Sequence, residues 1–319
     1  MNLKSLLFDN KKFPLFLAPM EGVTDPPFRF FCKKFGVDVT YTEFISSEGL
    51  IRNAEKSVKK LKISDSERPI GIQIFGHNVE SMKLAATIAE EQNPDMIDIN
   101  CGCPVKKVVA KGCGSALLKD IEKLQKMAAE VVRNVKIPVT VKTRLGWDRN
   151  SIVVEELVER LQDVGVQAVT IHARTRCQMY SGEADWSYIG KVKNNSRIKI
   201  PIIGNGDINS AEKTLAYKNK WGIDGIMIGR ATIGHPWIFD EIKYSLENKK
   251  YERPNIEEII LQHMNMEKDY KNEHYAVVSL RKHYKNYFKH MPDVKNLKLQ
   301  LMEAESIESV KEIFDNFKK

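Results

Sequence analysis

Eight times along this chain a short apolar run is followed by a longer stretch with apolar side chains at helical spacing, and that alternation restricts the available folds more than any single motif does. The runs lie at 15–20, 39–44, 69–75, 96–100, 138–142, 168–172, 201–204 and 225–228. They are rich in Val, Ile and Leu with little in–out alternation, as expected of strands covered on both faces. Amphipathic segments such as 79–91, 120–135, 153–164 and 210–218 lie between them. Strand and helix in alternation predict a parallel sheet, and eight units predict its closure into an α/β fold of the (β/α)8 TIM-barrel type. A doubly wound open sheet is the alternative, but no clear dinucleotide glycine fingerprint accompanies the repeats.

After residue 240 the pattern changes. Residues 247–254 read as a linker ending in Pro254, and helices are expected at 256–271, 276–290, 294–303 and 306–317. The chain therefore divides into a barrel, 1–245, and a small C-terminal all-α helical bundle, 246–319. No apolar run approaches the roughly 20 residues of a membrane span. The first twelve residues carry only Leu3, Leu6, Leu7 and Phe8 as large apolar groups, too few for a signal peptide. Five cysteines, an odd number, suggest reduced thiols and a cytoplasmic protein. A monomer is the expected state.

In such a barrel, functional groups collect at the carboxyl ends of the strands. Polar or flexible residues stand there almost every time: Pro19 to Gly22, Glu43, Gln73, Asn100 with Cys103, Lys142 with Arg144, His172 with Arg174, Asn205-Gly206-Asp207, and Gly229-Arg230. Around one rim they describe one site. The last two loops, rich in glycine, suit a phosphate held by backbone N–H groups, with Arg230 adding a charge-assisted bond. Gln73 and Lys142 suit the polar edge of an isoalloxazine ring, and Ala18-Pro19-Met20 offers it an apolar shelf, so FMN is the expected cofactor. For Lys142 a structural ion pair or a Schiff base are the alternatives.

The segment Asn100-Cys101-Gly102-Cys103-Pro104 sets a thiol at a strand mouth, ahead of Lys106 and Lys107. A cysteine with an ordinary value near 8.5 is mostly protonated at neutral pH and can act as an acid. The two lysines are expected to lower that value. Metal binding by Cys101, Cys103 and Cys113 is the competing reading, but Cys-x-Cys-x9-Cys lacks the paired rhythm of a zinc site, and no metal is expected.

These residues carry a resemblance. Segments 18–25 (APMEGVTD), 71–76 (GIQIFG), 98–104 (DINCGCP), 106–108 (KKV), 141–148 (VKTRLGWD), 172–176 (HARTR), 180–186 (YSGEADW), 204–207 (GNGD) and 229–230 (GR) match the tRNA-dihydrouridine synthases in order and spacing. Over residues 14–319 the chain resembles the bacterial B-type branch, once labelled nitrogen-regulation-like proteins. The resemblance implies reduction of the C5=C6 bond of tRNA uridines to 5,6-dihydrouridine, with a hydride from reduced FMN to C6, a proton from Cys103 to C5, and NADPH as reductant. It implies FMN contacts from Ala18, Pro19, Met20, Gln73, Lys142, His172, Asn205, Gly206, Asp207, Gly229 and Arg230. Asn100, Arg144 and Arg174 would lie near the uridine. Cys101, Cys113 and Ala173 depart from residues common in the family, and leave Cys103 as the cysteine that precedes proline.

The net charge of +8 fits a polyanionic partner. Between 281 and 298 six basic residues (Arg281, Lys282, Lys285, Lys289, Lys295, Lys298) face one acid, Asp293. Arg281, Lys282 and Lys285 are expected to follow tRNA phosphates, with Tyr284, Tyr287 and Phe288 interleaved; the alternative buries those aromatics in the bundle. A free-pyrimidine flavoenzyme and a non-catalytic RNA-binding barrel are the rival readings. The first has no need of a basic helical tail, and the second no need of Cys103, Lys142 and His172.

Overall fold

The structure is a computed structural model and describes residues 3–8, 13–289 and 291–317. Nine strands form one parallel sheet: β1 Leu15–Leu17, β2 Thr40–Tyr41, β3 Ile45–Ser46, β4 Ile70–Phe75, β5 Met96–Cys101, β6 Val139–Arg144, β7 Ala168–His172, β8 Ile202–Asn205 and β9 Gly225–Ile228. They run in the order β1-β9-β8-β7-β6-β5-β4-β2, with β3 also on β4. A parallel bridge between Phe16 and Val39, with Leu17 N–H donating to Val39 O at 2.9 Å, closes the circle. The expected barrel is therefore present, with one irregularity. Of the second run, 39–44, only Thr40–Tyr41 is strand, and β3 follows just beyond it at Ile45–Ser46; at the interruption Thr42 Oγ1 takes the Gln73 N–H (3.2 Å) where a strand carbonyl would.

Helices follow the strands at Val79–Glu90, Ile121–Asn134, Val154–Asp163, Ser187–Asn194, Ala211–Trp221 and Ile238–Leu246. Side chains start three of them: Asn78 accepts from Ser81 N–H, Asp120 from Lys123 N–H and Ser210 from Lys213 N–H, satisfying donors the first turn leaves unpaired. Along the strands, odd and even residues separate. Leu15, Leu17, Ile72, Ile97, Ile99, Val141, Val169 and Ile171 pack outward against the helices. Phe16, Val39, Tyr41, Met96, Ala168, Ile203 and Met227 fill the lower barrel, joined by Leu3 and Leu7. Higher up, the inward positions turn polar, from Gln73, Asp98 and Thr140 to Asn100, Lys142, His172 and Asn205. The same two-residue period thus seals the floor and furnishes the mouth.

Four further helices, Ile256–Tyr270, Glu273–Tyr287, Lys295–Glu303 and Ile307–Phe317, form the C-terminal bundle. The second starts three residues before its expected position, because Asn272 caps it through Tyr275 N–H at 2.8 Å; His290, at its expected end, lies outside the described residues. Phe31 on the helix Pro26–Lys34, Phe35 at its C-terminal cap, and Trp237 share one apolar core with Ile260, Met264, Leu280, Tyr284, Leu301 and Val310. Gly234 N–H donates to His283 Nδ1 at 2.9 Å, and a Cβ on Gly234 would lie 2.1 Å from the His283 carbonyl oxygen, so only glycine permits this approach. The bundle is docked on the barrel through a packed core. No helix among the described residues is long and apolar enough to cross a membrane.

Candidate active site

Cys103 sits on the loop leaving β5, and three side chains hold that loop. Asn100 Oδ1 accepts the N–H groups of Gly102 (3.1 Å) and Cys103 (2.9 Å). Ser115 Oγ donates to the Cys103 carbonyl at 2.8 Å. Arg144, buried at the end of β6, donates through Nε to Gly102 O (2.8 Å) and through Nη1 to Thr175 O (2.9 Å) and Met179 O (2.8 Å). Asn100 is anchored in turn. Its Nδ2 donates to Gln73 Oε1 (2.8 Å), Gln73 Nε2 donates to Asp98 Oδ2 (2.7 Å), and Thr140 Oγ1 donates to Asp98 Oδ1 (2.5 Å). A chain of buried amide, carboxyl and hydroxyl groups therefore ties the cysteine loop to the barrel wall.

Beside it opens a cavity of about 1450 Å³ lined by Ala18, Pro19, Met20, Lys142, His172, Asn205, Gly206, Asp207, Gly229 and Arg230, all expected from the sequence. Lys142 Nζ donates to Asn205 Oδ1 at 3.2 Å. Asn205 Nδ2 donates to Met227 O at 2.8 Å, fixing the amide between β8 and β9. At Gly206, φ is +128°, and an added Cβ would stand 2.9 Å from Ala184 Cβ and 3.2 Å from His172 Cδ2. Asp207 takes Arg174 Nη2 at 2.6 Å and lies 3.5 Å from Arg230, while Arg174 Nη1 is buried with no partner.

Burial raises the Cys103 thiol above its ordinary value, against a backbone N–H and the nearby Arg144 and Lys142, which pull it down. Lys106 and Lys107 are exposed, and the cations that act on Cys103 are Arg144 and Lys142, so the expected depression by the loop lysines gives way to desolvation. Burial, with Arg144 beside it, lowers Lys142 to about 8. Burial also holds His172 well below its usual value, with Arg144, Lys142, Arg174 and Arg230 adding to it, so its imidazole is neutral. Asp98 is pushed up to about 6 by burial, and its two hydrogen-bond donors oppose the rise. Burial works to raise Asp207, but Arg174 holds it below the usual range.

The basic C-terminal stripe is divided in the structure. Arg281 donates to Ala304 O at 3.2 Å, Lys282 donates to Gly22 O in the barrel, and Lys285 is exposed. Tyr284, Tyr287 and Phe288 lie in the bundle core, where none can stack on a base. Cys101 is fully buried, on the face of β5 turned to the helices, and among the described residues no group of His, Cys, Asp and Glu could hold a metal ion. Sequence reasoning missed Asp98 and Tyr180. Asp98 lies two residues before Asn100, on the same inward face of the strand, which is the signal that could have found it. Tyr180, half exposed in the cavity, has the Arg230 guanidinium 4.5 Å from its ring centre and the His172 ring 6.3 Å away, contacts made only by the folded β7 loop.

Comparison with known proteins places this geometry. Residues 16–319 match the family model described as dihydrouridine synthase (Dus). A probable tRNA-dihydrouridine synthase of Rickettsia conorii is 39% identical over 284 residues, 88% of this chain and 85% of that protein. The tRNA-dihydrouridine synthase B of Pseudomonas putida is 41% identical over 258 residues, covering 78% and 75%. Among solved structures, the 6-hydroxypseudooxynicotine amine oxidase of Pseudomonas geniculata N1 superposes with TM-score 0.60 at 14% identity, over 82% of this chain and 52% of that one. The histamine dehydrogenase of Rhizobium sp. 4-9 gives 0.56 at 15%, over 83% and 51%. The chain spans about half the length of these two solved structures, and the likeness to them is one of fold.

Proposed function

The chain belongs to the dihydrouridine synthase family, and from that premise we propose that it reduces the C5=C6 bond of uridines in tRNA to 5,6-dihydrouridine, with FMN as cofactor, NADPH as reductant and Cys103 as the acid. The observation that carries the reading is a thiol kept protonated by burial on the β5 loop, within electrostatic reach of Lys142, which lines a cavity also bordered by the glycine loops of β8 and β9 and by Arg230.

The residues present fit FMN. At Gly206 an added Cβ would press on Ala184 and His172 of the cavity wall, so the backbone reaches the cavity without a side chain; the helix Ala211–Trp221 begins beside it, and Arg230 and Arg174 supply guanidinium groups, one with a buried unpartnered Nη1. Asn205, Gly206, Asp207, Gly229 and Arg230 would hold the phosphate end, Ala18, Pro19 and Met20 the apolar face of the ring, and Gln73, Lys142 and His172 its polar edge. Reduced FMN, when bound, supplies the hydride that goes to C6 of the uracil.

The other half of the addition falls to the protein. Cys103 holds a proton for C5, and burial keeps the thiol in the form that can give it. As the proton leaves, the thiolate comes to lie near Arg144 and Lys142, whose charges favour it. Water restores the proton before the next turnover. Lys142, charged below about 8, offsets negative charge gathering on the ring edge. Neutral His172 donates a hydrogen bond without adding a second cation. Arg174, spoken for by Asp207, shapes the phosphate side, and Asn100 with Arg144 keeps the thiol at the uridine. Residues 1–245 form the FMN-binding barrel and 246–319 the tRNA-binding part, where exposed Lys285 is left to meet phosphate while Arg281 and Lys282, engaged with backbone carbonyls, brace the bundle. We place the protein in the cytoplasm, as a monomer.

An anaerobic titration tests this. Protein whose bound flavin has been reduced is expected to regain yellow absorbance when unmodified tRNA is added, and released cofactor to be FMN. Flavin that stays reduced in the presence of tRNA, or a preparation that binds no flavin, would overturn the reading.

A further inference from the structure

Free positive charge on this protein is not confined to the C-terminal stripe, and two of the cations of that stripe are engaged. Of the helix Glu273–Tyr287, Arg281 and Lys282 are engaged with backbone carbonyls. Exposed Lys106, Lys107 and Lys111 follow Cys103 on the β5 loop, Lys119 lies just beyond, exposed Arg149 is on the β6 loop, and half-buried Arg176 on the β7 loop. Among the described residues, none of these six forms an ion pair, unlike Lys59 with Glu55 (2.6 Å), Arg133 with Glu130 (2.6 Å) and Arg160 with Glu156 (2.8 Å); what sets the six apart from other unpaired surface cations is that they gather on three neighbouring loops at the carboxyl ends of the strands.

The three loops are one body. Arg144 bonds to Gly102 O on the first and Thr175 O on the third. Arg176 N–H donates to Gly146 O and Cys177 N–H to Trp147 O, both at 2.9 Å. Trp147 holds Lys119 Nζ 3.7 Å and Arg176 Cζ 4.6 Å from its ring centre. That indole is already occupied by two cations, and so serves to position charge on the rim. Burial also leaves Arg176 Nε without a partner.

We propose that this rim, Lys106, Lys107, Lys111, Lys119, Arg149 and Arg176, binds the sugar–phosphate backbone of the RNA beside the uridine that enters the cavity. The inference rests on the tRNA reading above. A base that leaves its stack carries its own backbone to the cavity mouth, and its flanking phosphates must then lie against the loops that carry Cys103. An array of unpaired cations on a rigid rim offsets that charge without regard to sequence.

The test compares the salt dependence of binding of an unmodified tRNA transcript, by filter retention or fluorescence polarisation. The variants are a triple Lys106→Gln, Lys107→Gln, Lys111→Gln and the same triple to Arg. A control changes Lys218→Gln and Lys220→Gln at the C-terminal end of the helix Ala211–Trp221, away from the cavity mouth. The Gln triple is expected to flatten the slope of log K against log salt by about 2 and to weaken binding roughly 100-fold near 0.1 M salt. The Arg triple and the control are expected to bind as the parent protein does. A Gln triple with the parent slope, alongside loss of binding on Lys285→Gln and Lys289→Gln, would overturn the rim and leave the tRNA reading standing. A parent protein that does not bind tRNA would overturn both.

Discussion

Replacing Asn100 with alanine tests the idea that this side chain acts by holding Cys103 in place. The substitution removes the acceptor of the Gly102 and Cys103 N–H groups and the donor to Gln73 Oε1, three hydrogen bonds of 2.8–3.1 Å around a buried residue. At about 1 kcal/mol each, the loss is about 3 kcal/mol, before any gain from water entering the gap. For a chain of 319 residues the unfolding entropy is about 0.7 kcal/mol/K, so the melting temperature is expected to fall about 4–5 °C. Displacement of the thiol by about an ångström is worth roughly 100-fold in the chemical step. Scanning fluorimetry gives the first quantity, and anaerobic single-turnover reoxidation of the bound flavin by tRNA gives the second. Flavin content and tRNA affinity are expected to stay at parent values. An unchanged melting temperature with the defect confined to tRNA affinity would mean that Asn100 contacts substrate and does not position the acid.

Three other expectations follow from burial and backbone geometry. Gly206→Ala places a Cβ 2.9 Å from Ala184 at φ +128°; it is expected to cost about 1–3 kcal/mol and to lower flavin content, read from absorbance and melting temperature. Asp25 is buried between barrel and bundle near Glu267, His263 and Lys282, and burial, then Glu267, raises its carboxyl to about 7. Its protonated form therefore adds stability fully present below its unfolded value of about 3.9 and lost as pH rises through about 7, so parent protein should melt lower at pH 8 than at pH 6 while Asp25→Asn shows a smaller change. The Tyr284 hydroxyl is buried without a hydrogen-bond partner, and Tyr284→Phe is expected to raise the melting temperature about 1–2 °C by removing a desolvated polar group.

The barrel and most of its rim were legible because they rest on local patterns. Strand runs of four to seven residues with polar ends, and glycine in the last two loops, assign Lys142, His172, Asn205 and Arg230 to one mouth without any knowledge of packing. Readings that depended on which atom meets which were less accessible. Lys106 and Lys107 lie close to Cys103 in sequence but point to solvent, and Arg144, forty-one positions on, governs the loop instead. Arg281 and Lys282 look like free charge in a linear pattern, yet each finds a backbone carbonyl from a distant segment. At the break between β2 and β3 one threonine hydroxyl stands in place of a carbonyl, which no period reveals.

The most direct test of the central claim is nucleoside mass spectrometry on unmodified tRNA incubated with the protein, FMN and NADPH, beside a Cys103→Ala variant of equal flavin content. Parent protein is expected to convert uridine to a nucleoside heavier by two hydrogen atoms, and the variant to lose about 100-fold or more of that rate, the lower end of what a positioned acid contributes. A variant that makes dihydrouridine as fast as the parent would contradict the assignment of Cys103 as the acid, and a parent protein that leaves every uridine unchanged would contradict the reaction itself.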